Sequence, residues 1–145
     1  MNEDADRRDD SRSGSARPVK SGVLIHPGLL EMLASSGHTD ELLVCDAGYP
    51  VPAGVPTVQL AYRPGHAPFL DVLAVVVGTI HIERASIASE ADTDLGIAID
   101  DVLGLTADRI EHSSLKRRAR SCRGAIRTGE YTRYANVILT VGVAF

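Results

Sequence analysis

The sequence predicts an α/β protein, a three-layer sandwich in which helices cover both faces of a largely parallel sheet. Leu42-Leu43-Val44-Cys45 is an apolar run without alternation, the pattern of a strand buried on both faces. Segments with helical spacing alternate along the chain with segments of strand character, and that order builds helices around a parallel sheet. The chain has 145 residues, 44% of them hydrophobic and 23% charged, so it can bury a core of its own without disulfides or a structural metal.

Residues 1–20 mix Asp, Arg, Ser, Gly and Asn almost without large apolar side chains, so they are expected to form a disordered tail. Residues 21–145 are expected to form one domain. Pro27 suits the first turn of a helix, with Leu29, Leu30, Leu33 and Ala34 spaced along one face and Gly37 as the stop. The strand through Cys45 ends at Asp46-Ala47-Gly48. Tyr49 to Pro56 is rich in Pro and Gly and reads as loop, and Thr57 to Tyr62 is strand-like. Pro68 opens a helix to about Ile80, with Phe69, Leu70, Leu73, Val76 and Val77 inward. Ala85 to Ala88 reads as a second buried strand, Asp94 to Leu103 as a short helix, and Ser113 to Cys122 as a helix with a basic exposed side. The β-branched stretch Asn136 to Val143 closes the chain as a strand.

Composition removes several classes of function. A net charge of −4 argues against a nucleic-acid partner, because a protein that neutralises phosphates carries an excess of Lys and Arg. The run Lys116, Arg117, Arg118, Arg120 and Arg123 reads first as a solvated basic face. Cys45 and Cys122 are far apart and lack paired spacing for zinc, so no metal is expected and Cys45 reads as a small core residue. No stretch approaches the ~20 apolar residues that span a bilayer, and Arg7-Arg8 is followed by acidic and polar residues rather than an export segment. A cytoplasmic protein without a membrane association is expected.

Two segments hold polar groups that packing alone does not require. One is Gly37-His38-Thr39-Asp40 with Asp46 beyond the buried strand, so His38 enters that strand and Asp46 leaves it. The other is Arg127-Thr128-Gly129-Glu130-Tyr131 followed by Tyr134-Ala135-Asn136. Each has a plain structural reading: His38 as a turn residue, Asp46 as a turn former bonded to nearby amides, and Tyr134 and Asn136 as loop closure. If the strand begins at Tyr134, that residue and Asn136 point to one side. His112 and Lys116 stand one helical turn apart. His26, His66 and His81 have no partner of note and read as structural or exposed.

In combination these segments are more specific. GHTDELLVCDAGYPVP, RPGHAPFLDVL, His112-x-x-x-Lys116 and IRTGEYTRYANVILTVGVAF resemble, in order and spacing, the D-ribose pyranase family and its sister L-fucose mutarotases. The resemblance covers nearly the whole chain after the tail. It implies a ribose pyranase-like fold and an isomerase that interconverts the pyranose and furanose forms of a free monosaccharide, D-ribose first, in supply of a ribokinase. It also implies His38 as the catalytic residue, with Asp46, His112, Lys116, Tyr134, Ala135 and Asn136 at the sugar. No cofactor is implied. The implied assembly is a homodecamer of two stacked pentamers, each site completed by a neighbouring subunit.

The residue types suit that chemistry. Opening a cyclic hemiacetal takes a proton from the anomeric hydroxyl and delivers one to the ring oxygen, and imidazole, with an unperturbed pKa of ~6.5, does both near neutrality. Asp, Asn, Tyr and Lys offer directional hydrogen bonds to a hydroxyl-rich ligand. Between Glu90 and His112 the chain is shorter than in typical members of the family. Tyr131, Arg133 and Leu115 replace a small residue, a proline and an aromatic around the binding segment. An L-fucose or other sugar mutarotase is the alternative within the family, and a non-catalytic sugar-binding accessory protein is the alternative outside it.

Overall fold

A computed structural model describes residues 24–143, so the tail expected over residues 1–20 lies outside the described residues. The elements in chain order are α1 (Pro27–Ser35), β1 (Glu41–Cys45), β2 (Thr57–Gln59), α2 (Phe69–Thr79), β3 (Ile82–Ala88), α3 (Thr93–Leu103), β4 (Asp108–Ile110), α4 (His112–Ala119), β5 (Gly124–Arg127) and β6 (Val137–Val141). The strands form one sheet in the order β2-β5-β1-β6-β3-β4. No described helix is long and apolar enough to cross a membrane.

β5 runs parallel to β1 and β2, and β3 runs parallel to β4, whereas β6 is antiparallel to both β1 and β3. The sheet is therefore largely parallel with one reversed strand near its middle. The reason is local: β5 and β6 are joined by a loop with no helix, and a parallel return would need a crossover of a dozen or more residues. Residues along β1 and β6 alternate between two cores. Leu42, Val44, Val137, Leu139 and Val141 join Leu29, Leu33, Phe69, Leu73, Val76 and Ile99 from α1, α2 and α3. Leu43, Cys45 and Ile138 point the other way, onto Leu115 and Ala119 of α4. The three layers are thus unequal, with three helices on one face and one on the other.

The ends of these helices explain several residues. His26 caps α1, its Nδ1 accepting the Leu29 N–H at 3.1 Å, which settles it as structural. Leu30 is 39% exposed rather than inward, and the buried residues of α1 are Leu29 and Leu33. The helix stops at Ser35 through Ser36, whose hydroxyl turns back onto the Met32 carbonyl at 2.7 Å, so Gly37 is not the stop. Glu130 reaches from the β5–β6 loop to the start of α2, accepting the Phe69 N–H at 3.0 Å and the Thr132 hydroxyl at 2.8 Å. Burial alone raises the Glu130 pKa, but the hydrogen bonds from Phe69, Thr132 and Tyr131 outweigh it and hold the carboxyl below the ordinary 4.5. The neighbouring Gly129 lies against backbone: a Cβ there would meet the His66 carbonyl oxygen at 2.0 Å.

Arg118 is not the solvated side chain that the basic run suggests. It donates to Ser86 Oγ at 2.8 Å and to the Glu41 carboxylate, which also accepts from Thr140 Oγ1 at 3.2 Å. One guanidinium on α4 is thereby tied to β1 and β3, and through Glu41 to β6. At the far edge, Arg109 of β4 grips both oxygens of Asp100 on α3, at 2.9 and 3.0 Å. That grip holds the three-residue strand β4.

Two stability outcomes follow. Leu139→Ala, in the middle of the core, should cost about 2–5 kcal/mol in urea denaturation, and Leu30→Ala less than about 1 kcal/mol. Because the Glu130 pKa is lowered on folding, its contribution is full above pH 4.5 and disappears as pH falls through the lower folded value. Glu130→Gln should therefore lower the melting temperature at neutral pH, and the gap to wild type should close in acid.

Candidate active site

The loops that follow β1, β4 and β5 meet at the carboxyl edge of the sheet, where open α/β sheets hold their ligands. The two polar segments of the sequence interlock there. The Cys45 carbonyl accepts both the Thr128 N–H at 2.9 Å and the Thr128 hydroxyl at 2.8 Å. Arg127 donates to the carbonyls of Ala47 at 3.1 Å and Tyr49 at 2.7 Å. Asn136 is 1% exposed, and its Oδ1 accepts the Asp46 N–H at 2.8 Å. Asp46 Oδ1 accepts the Gly48 N–H at 2.9 Å, as a turn-forming aspartate does. Its Oδ2 makes no hydrogen bond among the described residues. Beside Asp46, the loop carrying Glu130, Tyr131 and Arg133 walls an open hollow of about 350 Å³.

His112 is the first residue of α4, and its N–H is accepted by both oxygens of Glu90, at 2.9 and 3.2 Å. Burial works against the Glu90 carboxylate, yet the hydrogen bonds from the His112 and Glu90 backbone and from Ser89, with the charge of His112, bring its pKa below the ordinary value. The His112 ring stands edge-on to Tyr134, with centroids 5.1 Å apart, and to Tyr49 at 6.2 Å. Its Nδ1 is buried without a partner, and so is the Tyr49 hydroxyl. Buried polar atoms are almost always paired, and an unpaired one costs about 1–3 kcal/mol, so two side by side set this edge apart. Burial, then the Cys45 and Cys122 thiols and Asp46, push the Tyr49 pKa up to about 12, and the phenol stays protonated.

Tyr134 and Asn136 come together by a different route from strand alternation. β6 begins at Val137, and Tyr134 lies in the loop before it with φ of +63°, a left-handed conformation unusual for a bulky side chain. That turn sends the Tyr134 ring toward His112, while Asn136 points into Asp46 and Ala135 is fully buried between them. Lys116 sits one turn along α4 from His112, on the same face and exposed, as the spacing requires when the helix starts at His112. Tyr49 is the member of this cluster that sequence reasoning placed in plain loop. Its only signal is an aromatic side chain set between Gly48 and Pro50.

His38 is at the opposite edge of the sheet. Its turn is closed by Asp40, whose Oδ2 accepts the Gly37 N–H at 2.8 Å, and by Thr39, which donates to the Val141 carbonyl at 2.8 Å with φ of +75°. The imidazole is 51% exposed, with Nε2 at 3.3 Å from Glu83 Oε2. β1 lies between His38 and Asp46, and at about 3.3 Å per residue that strand separates them by more than about 13 Å. One chain thus gathers Asp46, His112, Tyr134 and Asn136 and leaves His38 apart. Among the described residues no group of three or more His, Cys, Asp or Glu is placed to hold a metal ion.

Comparison with known proteins places the chain in a family. Residues 19–144 match the RbsD / FucU transport protein family. The chain is 39% identical over 130 residues to the D-ribose pyranase of Paracidovorax citrulli (strain AAC00-1), covering 88% of this chain and 100% of the relative. Among solved structures it is similar to Bacillus subtilis RbsD complexed with D-ribose, with a TM-score of 0.80 and 32% identity over 84% of this chain and 96% of that one. The fucose mutarotase of Streptococcus pneumoniae in complex with L-fucose shares the fold, with a TM-score of 0.72 at 20% identity over 83% of this chain and 95% of the other. With the family match running over residues 19–144 and a relative 39% identical over its whole length, the chain belongs to the RbsD / FucU transport protein family.

Proposed function

We infer that this protein is a D-ribose pyranase, an isomerase that interconverts β-D-ribopyranose and β-D-ribofuranose by opening and closing the hemiacetal ring. The observation that carries the reading is the cluster of Asp46, His112, Tyr134 and Asn136 at the carboxyl edge, in a chain matched over the full length of a D-ribose pyranase. The relative with ribose bound supports the same substrate at 32% identity, whereas the likeness to the fucose enzyme concerns the fold.

In this reading His38 exchanges protons with the sugar. It takes the proton of the anomeric hydroxyl as the bond from the anomeric carbon to the ring oxygen breaks. The electron pair of that bond stays on the ring oxygen, which receives the proton, and the anomeric carbon becomes a carbonyl. Closure reverses the sequence with a different hydroxyl as nucleophile, so nothing is oxidised or reduced. Asp46 Oδ2, the Asn136 amide, the Tyr134 hydroxyl and Lys116 serve as hydrogen-bond partners of the sugar, with Ala135 shaping the floor and the His112 ring packed beside it.

His38 and the sugar-holding cluster lie at opposite edges of one sheet, so a site that uses both takes them from two copies of the chain. This supports a ring in which each subunit lends His38 to its neighbour's cluster, as in a decamer of two stacked pentamers. We place the enzyme in the cytoplasm, beside the reactions that consume free ribose.

Exchange of ribose ring forms, followed by saturation-transfer NMR, tests the activity. The wild type should accelerate exchange of ribose more than that of L-fucose, and His38→Ala should lose about 10²–10⁴-fold of the acceleration. Equal exchange in wild type and His38→Ala sinks the assignment. Mixing dissociated His38→Ala and Asn136→Ala chains and letting them reassemble should restore activity at a fraction of the sites. If the mixture stays as inactive as its components, the shared site is wrong.

A further inference from the structure

We propose that Glu83 is a positioning residue for His38: it accepts the Nε2 proton of the imidazole and so leaves Nδ1 as the nitrogen that meets the sugar. The proposal rests on His38 being the acid/base group. Three features of the fold converge on this pair.

The first is a break in the sheet. Ile82 of β3 pairs with Val141 of β6 and Arg84 pairs with Thr140, so Glu83 is the extra residue of a bulge. Bulges re-aim the side chain they carry, and here the side chain is the carboxylate that comes within 3.3 Å of His38 Nε2. The second is the left-handed Thr39, a β-branched residue at φ of +75° immediately after His38. Such a conformation persists only where its surroundings hold it, and the Thr39 and Val141 amides and the Asp40 carboxylate do so here. The third is Gly142, where a Cβ would stand 2.6 Å from the His81 ring, 3.0 Å from Glu83 Cβ and 3.4 Å from Glu83 Oε2. The glycine keeps open the space that the Glu83 side chain crosses.

The other carboxylates at this edge have their own tasks. Asp40 closes the turn through Gly37 and lies 3.7 Å from Arg123, and Glu41 is bound to Arg118 and Thr140. Among the described residues, the ion-pair contact of Glu83 is with His38. An ionised carboxylate only accepts, so in a neutral imidazole the nitrogen facing it carries the hydrogen and the other keeps its lone pair. A carboxylate that fixes the tautomer and orientation of a working histidine is a recurrent way to prepare a general base.

The test compares Glu83→Leu and Glu83→Gln with wild type and His38→Ala, using ribose exchange and the imidazole ¹⁵N shifts of labelled protein. Glu83→Leu should lower kcat by about tenfold or more with KM for ribose little changed, and Glu83→Gln, whose carbonyl still accepts from Nε2, should recover part of the loss. The His38 nitrogens of the wild type should report the Nε2–H tautomer, and those of Glu83→Leu a mixture. The wild-type shifts decide the point even where a variant folds poorly. A wild-type Nδ1–H tautomer, or Glu83→Leu with full kcat while His38→Ala is inactive, overturns the positioning role alone. Exchange that survives His38→Ala overturns the function on which the role rests.

Discussion

The Cys45 carbonyl, at the end of the buried strand β1, accepts two hydrogen bonds from Thr128, and Asn136 takes the next amide, that of Asp46. These bonds fasten the loop after β1 to the loop between β5 and β6. A carbonyl at the end of a buried strand has lost its water, so it must be paired or cost about as much as a lost hydrogen bond. Thr128 and Asn136 are themselves almost wholly buried, which makes the clasp a fixed part of the interior. Arg127 adds two more carbonyls, and Glu130 extends the same loop to the start of α2. The position of Asp46 beside Asn136 is inherited from this set of bonds.

Strain and vacancy gather around the same edges. The two non-glycine residues with positive φ among those described are Thr39, next to His38, and Tyr134, next to His112. The unpaired buried atoms among those described, Tyr49 Oη and His112 Nδ1, belong to two rings in edge contact, and the His112 ring also meets Tyr134. Among the described residues the other buried side-chain polar atoms are paired, as Arg118 is with Glu41 and Ser86. Departures from good local structure are thus concentrated where the chain is expected to meet a sugar, a pattern expected of sites that are prepared rather than packed.

Much of this was legible in the sequence, for physical reasons that also mark its limits. The run through Cys45 and the helix from Phe69 were readable because burial on both faces, or along one helical stripe, dictates the local pattern. β4 and β5 were not, because Asp108-Arg109-Ile110 is held by an ion pair across space, and Gly124-Ala125-Ile126-Arg127 is a short strand led by a glycine over which the Met32 side chain packs. Asp46, His112, Tyr134 and Asn136 could be named from their motifs, but their meeting depended on a left-handed turn that no alternation rule foresees. Tyr49 stayed hidden in a Pro- and Gly-rich loop because burial of a loop aromatic is decided by distant partners such as Leu115 and Cys122. The separation of His38 from Asp46 was implicit in their places at the two ends of one strand.

The reversed strand β6 lies between β1 and β3 yet comes last of the described elements. During synthesis its two neighbours therefore emerge with unpaired inner edges, and these stay open until β6 has also left the ribosome. Native pairing in the middle of the sheet is closed by a segment almost a hundred residues downstream of β1, as the contact between Glu41 and Thr140 shows. Such distant closure is slow, and the open edges are exposed to wrong partners meanwhile. A chain cut short before Val137 would lack the centre of its sheet rather than a margin, so premature termination here should yield aggregates instead of a smaller folded protein.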